Sequence, residues 1–209
     1  HGNRAANFSV QTADFILAIG TRLDTKATGS PASSFAPLAR LVMVDVDQAE
    51  LDKMGKIGRP LYHAVNVDAG DYIRAMLPGI GGFKMPDWAA WRAKIADWRA
   101  RFPAIDPTWR DEESINPYVL VDQLSDLMLP DDVLVSDTGS GLAWLMQAFR
   151  FNGQRFVHAF NNTPMGYGLP AAIGAAFATG RRVVLVTGDG GLGECVTELA
   201  TVERHKLPI

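Results

Sequence analysis

The chain has 209 residues, 47% of them apolar, and a net charge of −3; this composition suits a soluble globular protein of one or two cores. The weak acidic balance gives no electrostatic basis for binding nucleic acid or an anionic membrane, and no apolar run is long enough to span a bilayer, the longest candidate, 169–179, being short and rich in Ala and Gly. The single cysteine, Cys195, forbids an internal disulfide and favours a reducing, cytoplasmic setting, where it reads as a small packed side chain rather than a nucleophile.

Residues 3–12 read as a short helix, followed by a strand at 15–19 and the loop GTRLDTKATGS. A second strand, 41–46, contains Asp45 and is followed by Asp47; a short helix near 49–54, an extended segment at 61–65 and a helix over 68–76 complete the pattern. This alternation predicts an α/β unit with a parallel sheet. Ligands of such sheets lie beyond the carboxyl ends of the strands, here residues 20–26 and 45–47. Acids at a strand end suit ribose hydroxyls, and Arg22 and Lys26 suit phosphate; the alternative is that these are solvated loop charges.

The glycine- and proline-rich segment 78–86 marks a break and closes a first domain, 1–84. Beyond it Trp88, Trp91, Ile95, Trp98 and Phe102 share one helix face, which reads as a connecting helix packed on its own protein, with a partner-binding helix as the alternative. Residues 103–115 look irregular, so 85–115 is a linker. A second domain, 116–209, opens with Asn116 and Pro117, a cap and first-turn pair, and a helix whose Leu120, Val121, Leu124 and Met128 face inward until Pro130 stops it. The strand 133–136 runs into DTGSG and a helix, 142–149. A short strand near 156–160 leads into NNTPMGYGLPAAIGAAFATG, where Pro170 starts a helix whose Ala171, Ala172, Gly174 and Ala175 permit close packing.

The last stretch, RRVVLVTGDGGLGECVTELATVERH, carries the strongest local signal. A buried strand, 183–187, meets a tight turn at Gly188, Gly190, Gly191 and Gly193, and Val196, Leu199 and Val202 recur at helical spacing from Glu194 onward. Strand, glycine turn and helix make an anion site, because the first helical amides lack partners. The spacing of Gly188, Gly190 and Gly193 matches a dinucleotide fingerprint, but Asp189 places a carboxylate where a pyrophosphate would lie. A divalent cation between carboxylate and phosphate removes that conflict; the alternative is that Asp189 caps the following helix. The chain starts at His1 rather than Met and ends in LPI, which looks like the start of a strand, so both ends suggest a piece of something longer.

Three ordered pieces, DTGS at 137–140, TPMGYGLPAAIGA at 163–175 and GDGG with Glu198 at 188–198, together resemble the diphosphate-binding domain of thiamine diphosphate enzymes, in the acetolactate synthase-like branch. HGNRAANF, ADFILAIGTRLD and VMVDVDQAEL resemble the same family's middle domain, which carries FAD in acetolactate synthases. The resemblance covers nearly the whole chain and is weakest over 79–113. It implies an α/β fold of two doubly wound parallel-sheet, Rossmann-like domains, the second incomplete. It also implies that Asp189 ligates Mg²⁺, that Gly188, Gly190 and Gly191 lie against the diphosphate, and that Thr138, Gly139 and Ser140 hold it from the other turn. Met165 is then the apolar residue that bends the cofactor, with the Thr163 carbonyl accepting from the aminopyrimidine so that the thiazolium carbon can lose its proton; a core methionine is the alternative for Met165. Gly20, Arg22, Lys26, Asp45 and Asp68 form a candidate FAD or nucleotide set.

The sequence departs from the family where Ser140 and Gly141 replace a frequent Gln-His pair, and where Leu192, Gly193, Glu194 and Cys195 replace Phe-Gln-Met-Asn. The family's Asn-Asn metal ligand would fall past Ile209, and its catalytic glutamate belongs to an N-terminal domain of a neighbouring subunit. The chain is therefore expected to hold no catalytic residue of its own and to be inactive alone. The implied function is a lyase or transferase that decarboxylates a 2-keto acid and ligates or releases the acyl carbanion, in a homodimer or homotetramer with sites at the subunit interface. The alternatives are a catalytically silent binding or assembly module, and a dinucleotide-dependent oxidoreductase built on the GDGGLG turn.

Overall fold

A computed structural model describes residues 2–84 and 86–209. His1, which opens the HGNRAANF stretch, and Met85, which lies in the expected break and opens the expected linker, are outside the described residues. The chain divides into two compact units, 1–103 and 104–209.

In the first unit β1 (Phe15–Ile19), β2 (Arg40–Asp45) and β3 (His63–Asn66) form a parallel sheet in that order, with Ile19 opposite Val44 and Asp45 opposite Asn66. β2 is central and buries Leu41, Val42, Met43 and Val44, as a strand covered on both faces must. Leu41 and Met43 pack with Ala18, with Leu51 and Met54 of α3 (Gln48–Lys56), and with Phe35, Ala36 and Ala39 of the β1–β2 connection. That connection is pinned by buried Arg59, whose Nε donates to the Phe35 carbonyl and whose Nη2 donates to the Ala36 and Ala39 carbonyls at 2.8 to 2.9 Å. The loop expected after β1 contains a one-turn helix, α2 (Thr25–Thr28), because Asp24 Oδ1 accepts from the Lys26 and Ala27 amides.

α1 (Arg4–Gln11) precedes the sheet, and α4 (Ala69–Ile80) follows β3. The expected break at Pro78 is a helix end: α4 runs two residues past the proline, which removes only one donor near its last turn. α5 (Ala89–Arg101) lies within the stretch expected to be a linker, yet it belongs to the first unit. Its aromatic stripe finds partners there, with Trp98 5.7 Å and Phe102 5.4 Å from the Phe8 ring on α1 and Trp91 edge-on to Trp98. The boundary between units therefore falls after Pro103.

In the second unit β4 (Val133–Ser136) lies between β5 (Arg155–His158) and β6 (Val183–Val186), all parallel. Ser136 pairs with His158 on one side and Val186 on the other, so the three carboxyl ends are level. Alternation along β4 feeds two cores. Leu134 joins Val121 and Met128, from α6 (Pro117–Leu127) and the residue that caps its end, and Leu145, Ala148 and Phe149 at α7 (Ser140–Ala148). Val133 and Val135 join Ala172 and Ala176 of α8 (Gly168–Thr179). Helices thus cover both faces of a parallel sheet, the expected doubly wound arrangement.

Two inward faces differ from expectation. On α6, Leu120 is 54% exposed, and Asp122 and Ser125 are buried in its stead. The Asp122 carboxylate is buried against Arg110 and Arg150, and the Ser125 hydroxyl bonds the Val121 carbonyl and the Arg150 amide. Gly174 of α8 is exposed, and a Cβ there would meet nothing within 4 Å; close packing instead involves Gly168, at the first position of the helix.

The GDGG segment is itself helical. Gly188 is the N-cap of α9 (Asp189–Gly193), the helix breaks at Cys195, and α10 (Leu199–His205) follows a single 3₁₀ turn. The helix expected from Glu194 onward thus begins only at Leu199, and of the residues at helical spacing Val196 is 49% and Leu199 44% exposed. Cys195 is buried, its Sγ 3.4 Å from the Gly191 carbonyl, as a packed side chain. The Pro208 carbonyl accepts from the Val183 amide, which starts a further pairing on β6. No helix among the described residues is long and apolar enough to cross a membrane.

Candidate functional site

All three motif loops leave the same end of the second sheet. After β4 the Asp137 amide continues the ladder to the Val186 carbonyl at 2.9 Å, and the chain then turns at Gly139, in the left-handed region at φ 95°, into α7. After β5 the segment folds back on itself, the Thr163 amide reaching the Ala159 carbonyl at 2.8 Å, with Thr163 at φ 45° and Gly166 at φ 78°. After β6, Gly188 leads into α9.

The loops touch one another through glycines. A Cβ on Gly190 would stand 2.9 Å from Met165 Cε, one on Gly166 would stand 2.9 Å from Glu194 Cβ, and one on Gly141 would stand 3.2 Å from Val186 Cγ1. A Cβ on Gly191 or on Gly168 would enter the Asp137 side chain, at 2.7 Å from Oδ2 and 2.9 Å from Cβ respectively. By contrast, Cβ atoms on Gly139 and Gly188 would meet nothing within 4 Å. Glycine is thus required on the packed side for contact and leaves free backbone on the open side.

Neither α7 nor α9 has a side-chain N-cap, since Gly139 and Gly188 hold those positions. Their early amides and the positive ends of two helix dipoles therefore face the open edge of the sheet. Asp189 is exposed at the first position of α9; its Oδ1 accepts from the next amide, Gly190, at 2.8 Å, and Oδ2 takes no hydrogen bond among the described residues. The cap is Gly188, so Asp189 turns one oxygen to its own helix and leaves the other to the open side. No group of three His, Cys, Asp or Glu residues able to hold a metal occurs among the described residues. Met165 is 57% exposed beside Gly190, which is not the setting of a core methionine. Glu194 is at the C-terminal end of α9, remote from its amide-bearing start.

The structure brings Thr138, Gly139 and Ser140, Thr163 and Met165, and Gly188 to Gly191 to the carboxyl edge of the second sheet. It adds two residues that sequence reasoning passed over. Asp137, 2% exposed, touches all three loops: Oδ1 accepts from the Thr138 amide at 2.7 Å, Oδ2 accepts from the Gly168 amide at 3.1 Å, and Oδ2 lies 3.4 Å from the Thr187 hydroxyl, which is nearer the Gly188 carbonyl at 3.1 Å. His158 ends β5 opposite Ser136 and lines a pocket of about 250 Å³ with Ala159, Phe160, Asn161 and Asn162. Burial pushes its imidazole below the ordinary histidine value, and Nδ1 accepts from the Phe160 amide. An acid directly before the glycine turn was the available signal for Asp137.

In the first unit Gly20, Asp45 and Asp68 also gather at the carboxyl ends of the strands. Gly20, at φ 61°, lies with its open side 3.6 Å from Ala69 Cβ. Asp45 Oδ1 accepts from the Asp47 amide, and Asp68 Oδ1 caps α4 through the Gly70 and Asp71 amides. Arg22 is committed: its Nε and Nη2 bond Glu50 Oε1 at 3.1 and 2.6 Å. Lys53 and Arg22 together hold the Glu50 carboxyl below its ordinary range, against the effect of burial. Lys26 lies in the one-turn helix α2.

Residues 137–209 match the family model of the thiamine pyrophosphate enzyme C-terminal TPP binding domain, and residues 1–74 match that of the thiamine pyrophosphate enzyme central domain. The chain belongs to the thiamine pyrophosphate enzymes. Over its whole length it is 32% identical to acetolactate synthase isozyme 1 large subunit and 34% identical to acetolactate synthase isozyme 2 large subunit, both of Escherichia coli K12. It is also 33% identical to the acetolactate synthase large subunit of Parasynechococcus marenigrum. The chain spans 36%, 36% and 33% of the length of these three relatives. The match to the TPP binding domain, residues 137–209, lies wholly within the second unit and includes its three motif loops.

Proposed function

We propose that this chain supplies the cofactor-binding half of a thiamine diphosphate and Mg²⁺ dependent enzyme that cleaves a 2-keto acid, as in the acetolactate synthases it resembles. The observation that carries the reading is the charge pattern of the open edge. Loops 137–141, 159–168 and 187–194 contain no lysine or arginine, and Asp189 is the acid exposed at the start of α9, Asp137 being buried and Glu194 at the far end of that helix. A diphosphate there would have backbone amides and a metal ion to balance it, and exposed Asp189, with one oxygen unbonded among the described residues, would hold that ion. The glycines fit this use, since Gly139 and Gly188 leave space where a side chain would intrude.

In this reading Thr138, Gly139 and Ser140 hold the diphosphate from the start of α7, and Gly188, Gly190 and Gly191 hold it from the start of α9. Asp189 would contribute one ligand to that metal ion. Met165 offers an exposed apolar surface to the rings, and the Thr163 carbonyl, free of hydrogen bonds among the described residues, accepts from the aminopyrimidine. When bound, the cofactor supplies an electron sink for breaking the bond beside a keto carbonyl. The acid or base that works on the aminopyrimidine comes from outside the chain, from a second subunit in a homodimer or homotetramer. FAD or another adenine nucleotide is assigned to the first unit, at Gly20, Asp45 and Asp68, with Lys26 of α2 as a further candidate; Arg22 is drawn to Glu50 and contributes less.

Calorimetry of the intact protein tests this directly. Thiamine diphosphate is expected to bind with Mg²⁺ and far more weakly without it, and Asp189→Asn is expected to abolish the difference. Binding of NADH without metal, or cofactor binding indifferent to Mg²⁺, would remove the proposal.

A further inference from the structure

Asp137 is an unusual group to find under an anion site. It is 2% exposed, and no cationic side chain bonds it among the described residues. Its neighbours are the Thr138 and Gly168 amides and the Thr187 hydroxyl, at 2.7, 3.1 and 3.4 Å. Each belongs to a different loop, and the last two lie 31 and 50 residues away in sequence. Glycine at 191 and at 168 leaves room for it, because Cβ atoms there would come within 2.7 and 3.1 Å of Oδ2. A buried carboxylate without a counter-ion is costly, and its compensation here is hydrogen bonds that join otherwise separate loops.

We propose that Asp137 is a positioning residue that locks the three loops into a single cradle. Its burial keeps it from the ligand; it acts through the Thr138, Gly168 and Thr187 segments, setting the start of α7, the start of α8 and the turn before α9 in register. The identity of the ligand rests on the thiamine diphosphate reading, but the locking itself does not.

The test compares the intact protein with Asp137→Asn and Thr187→Val, first by amide hydrogen exchange without cofactor. Asparagine preserves the shape between the two glycines but presents its NH₂ group to one of the two amides, Thr138 or Gly168. Expected is faster exchange confined to 138–141, 163–168 and 187–191, with β4 and the first unit unchanged, and a smaller version of the same pattern for Thr187→Val. Calorimetry with Mg²⁺ is then expected to show thiamine diphosphate affinity reduced roughly tenfold or more in Asp137→Asn, the scale of leaving one buried donor unmatched. Unchanged exchange at those loops overturns the proposal, as does a uniform rise across the second unit with affinity intact, which would mark Asp137 as merely structural. If the parent protein binds no thiamine diphosphate, the ligand reading fails and the exchange pattern still decides the lock.

Discussion

Gly168 and Gly174 lie in the same helix, and replacing each by alanine is expected to move stability in opposite directions. At Gly168 the new Cβ would stand 2.9 Å from Asp137 Cβ, 2.9 Å from Leu185 Cδ1 and 3.1 Å from Asp137 Oδ2. The leucine methyl ends a flexible side chain and can turn aside. Asp137 Cβ cannot, since it is one bond from a backbone whose amide is tied to Val186. The start of α8 must therefore shift, at about 1–3 kcal/mol for overpacking. Gly174 is exposed with nothing within 4 Å of its would-be Cβ, so alanine there gains about 0.5–1 kcal/mol from reduced backbone freedom in the unfolded chain. The variants should differ by roughly 1.5–4 kcal/mol, or roughly 3–16 °C in thermal midpoint for a chain of this length. Scanning calorimetry of both beside the parent reads this out. A Gly168→Ala midpoint at or above the parent's would refute the reasoning, because it would mean that the glycine is not needed for the approach to Asp137.

Met165→Ala is expected to change the midpoint little, since the side chain is 57% exposed and lacks the contacts behind the usual core penalty, yet to weaken thiamine diphosphate binding; a large fall in midpoint would return Met165 to the core. Arg182 should govern acid stability through Asp132. Its hydrogen bonds hold that carboxyl below the ordinary range, burial opposing them and the Leu129 amide adding to them. A carboxyl lowered in the folded state stabilises above its unfolded value of about 3.9, and that contribution fades as pH falls through the folded value. The stability gap between parent and Arg182→Leu should thus be steady from neutrality to about pH 5 and narrow below it; a gap independent of pH in denaturant titrations would exclude the linkage.

Local patterns carried much of the fold in the sequence. The strands at 15–19 and 133–136 are readable to the residue, since β-branched and apolar runs flanked by turn residues have few other uses. The three motif loops are readable for a similar reason: a glycine directly after a buried strand signals backbone that must turn or approach something closely.

Tertiary structure alone decided which partner each polar group found. Asp137 meets Gly168 and Thr187, Asp132 meets Arg182 and Arg59 meets Phe35, across sequence separations of 24 to 50 residues. No periodicity encodes such pairings. They also reverse local expectations, burying Asp122 and exposing Leu120 on one helix, committing Arg22 to Glu50, and making Gly168 rather than Gly174 the tight position. The sequence alone determined where the backbone must bend and which stretches must be strands. Only the folded chain decided which bends share one edge and which carboxylate is hidden beneath them, because hydrogen bonds between distant segments exist only once packing has brought those segments together.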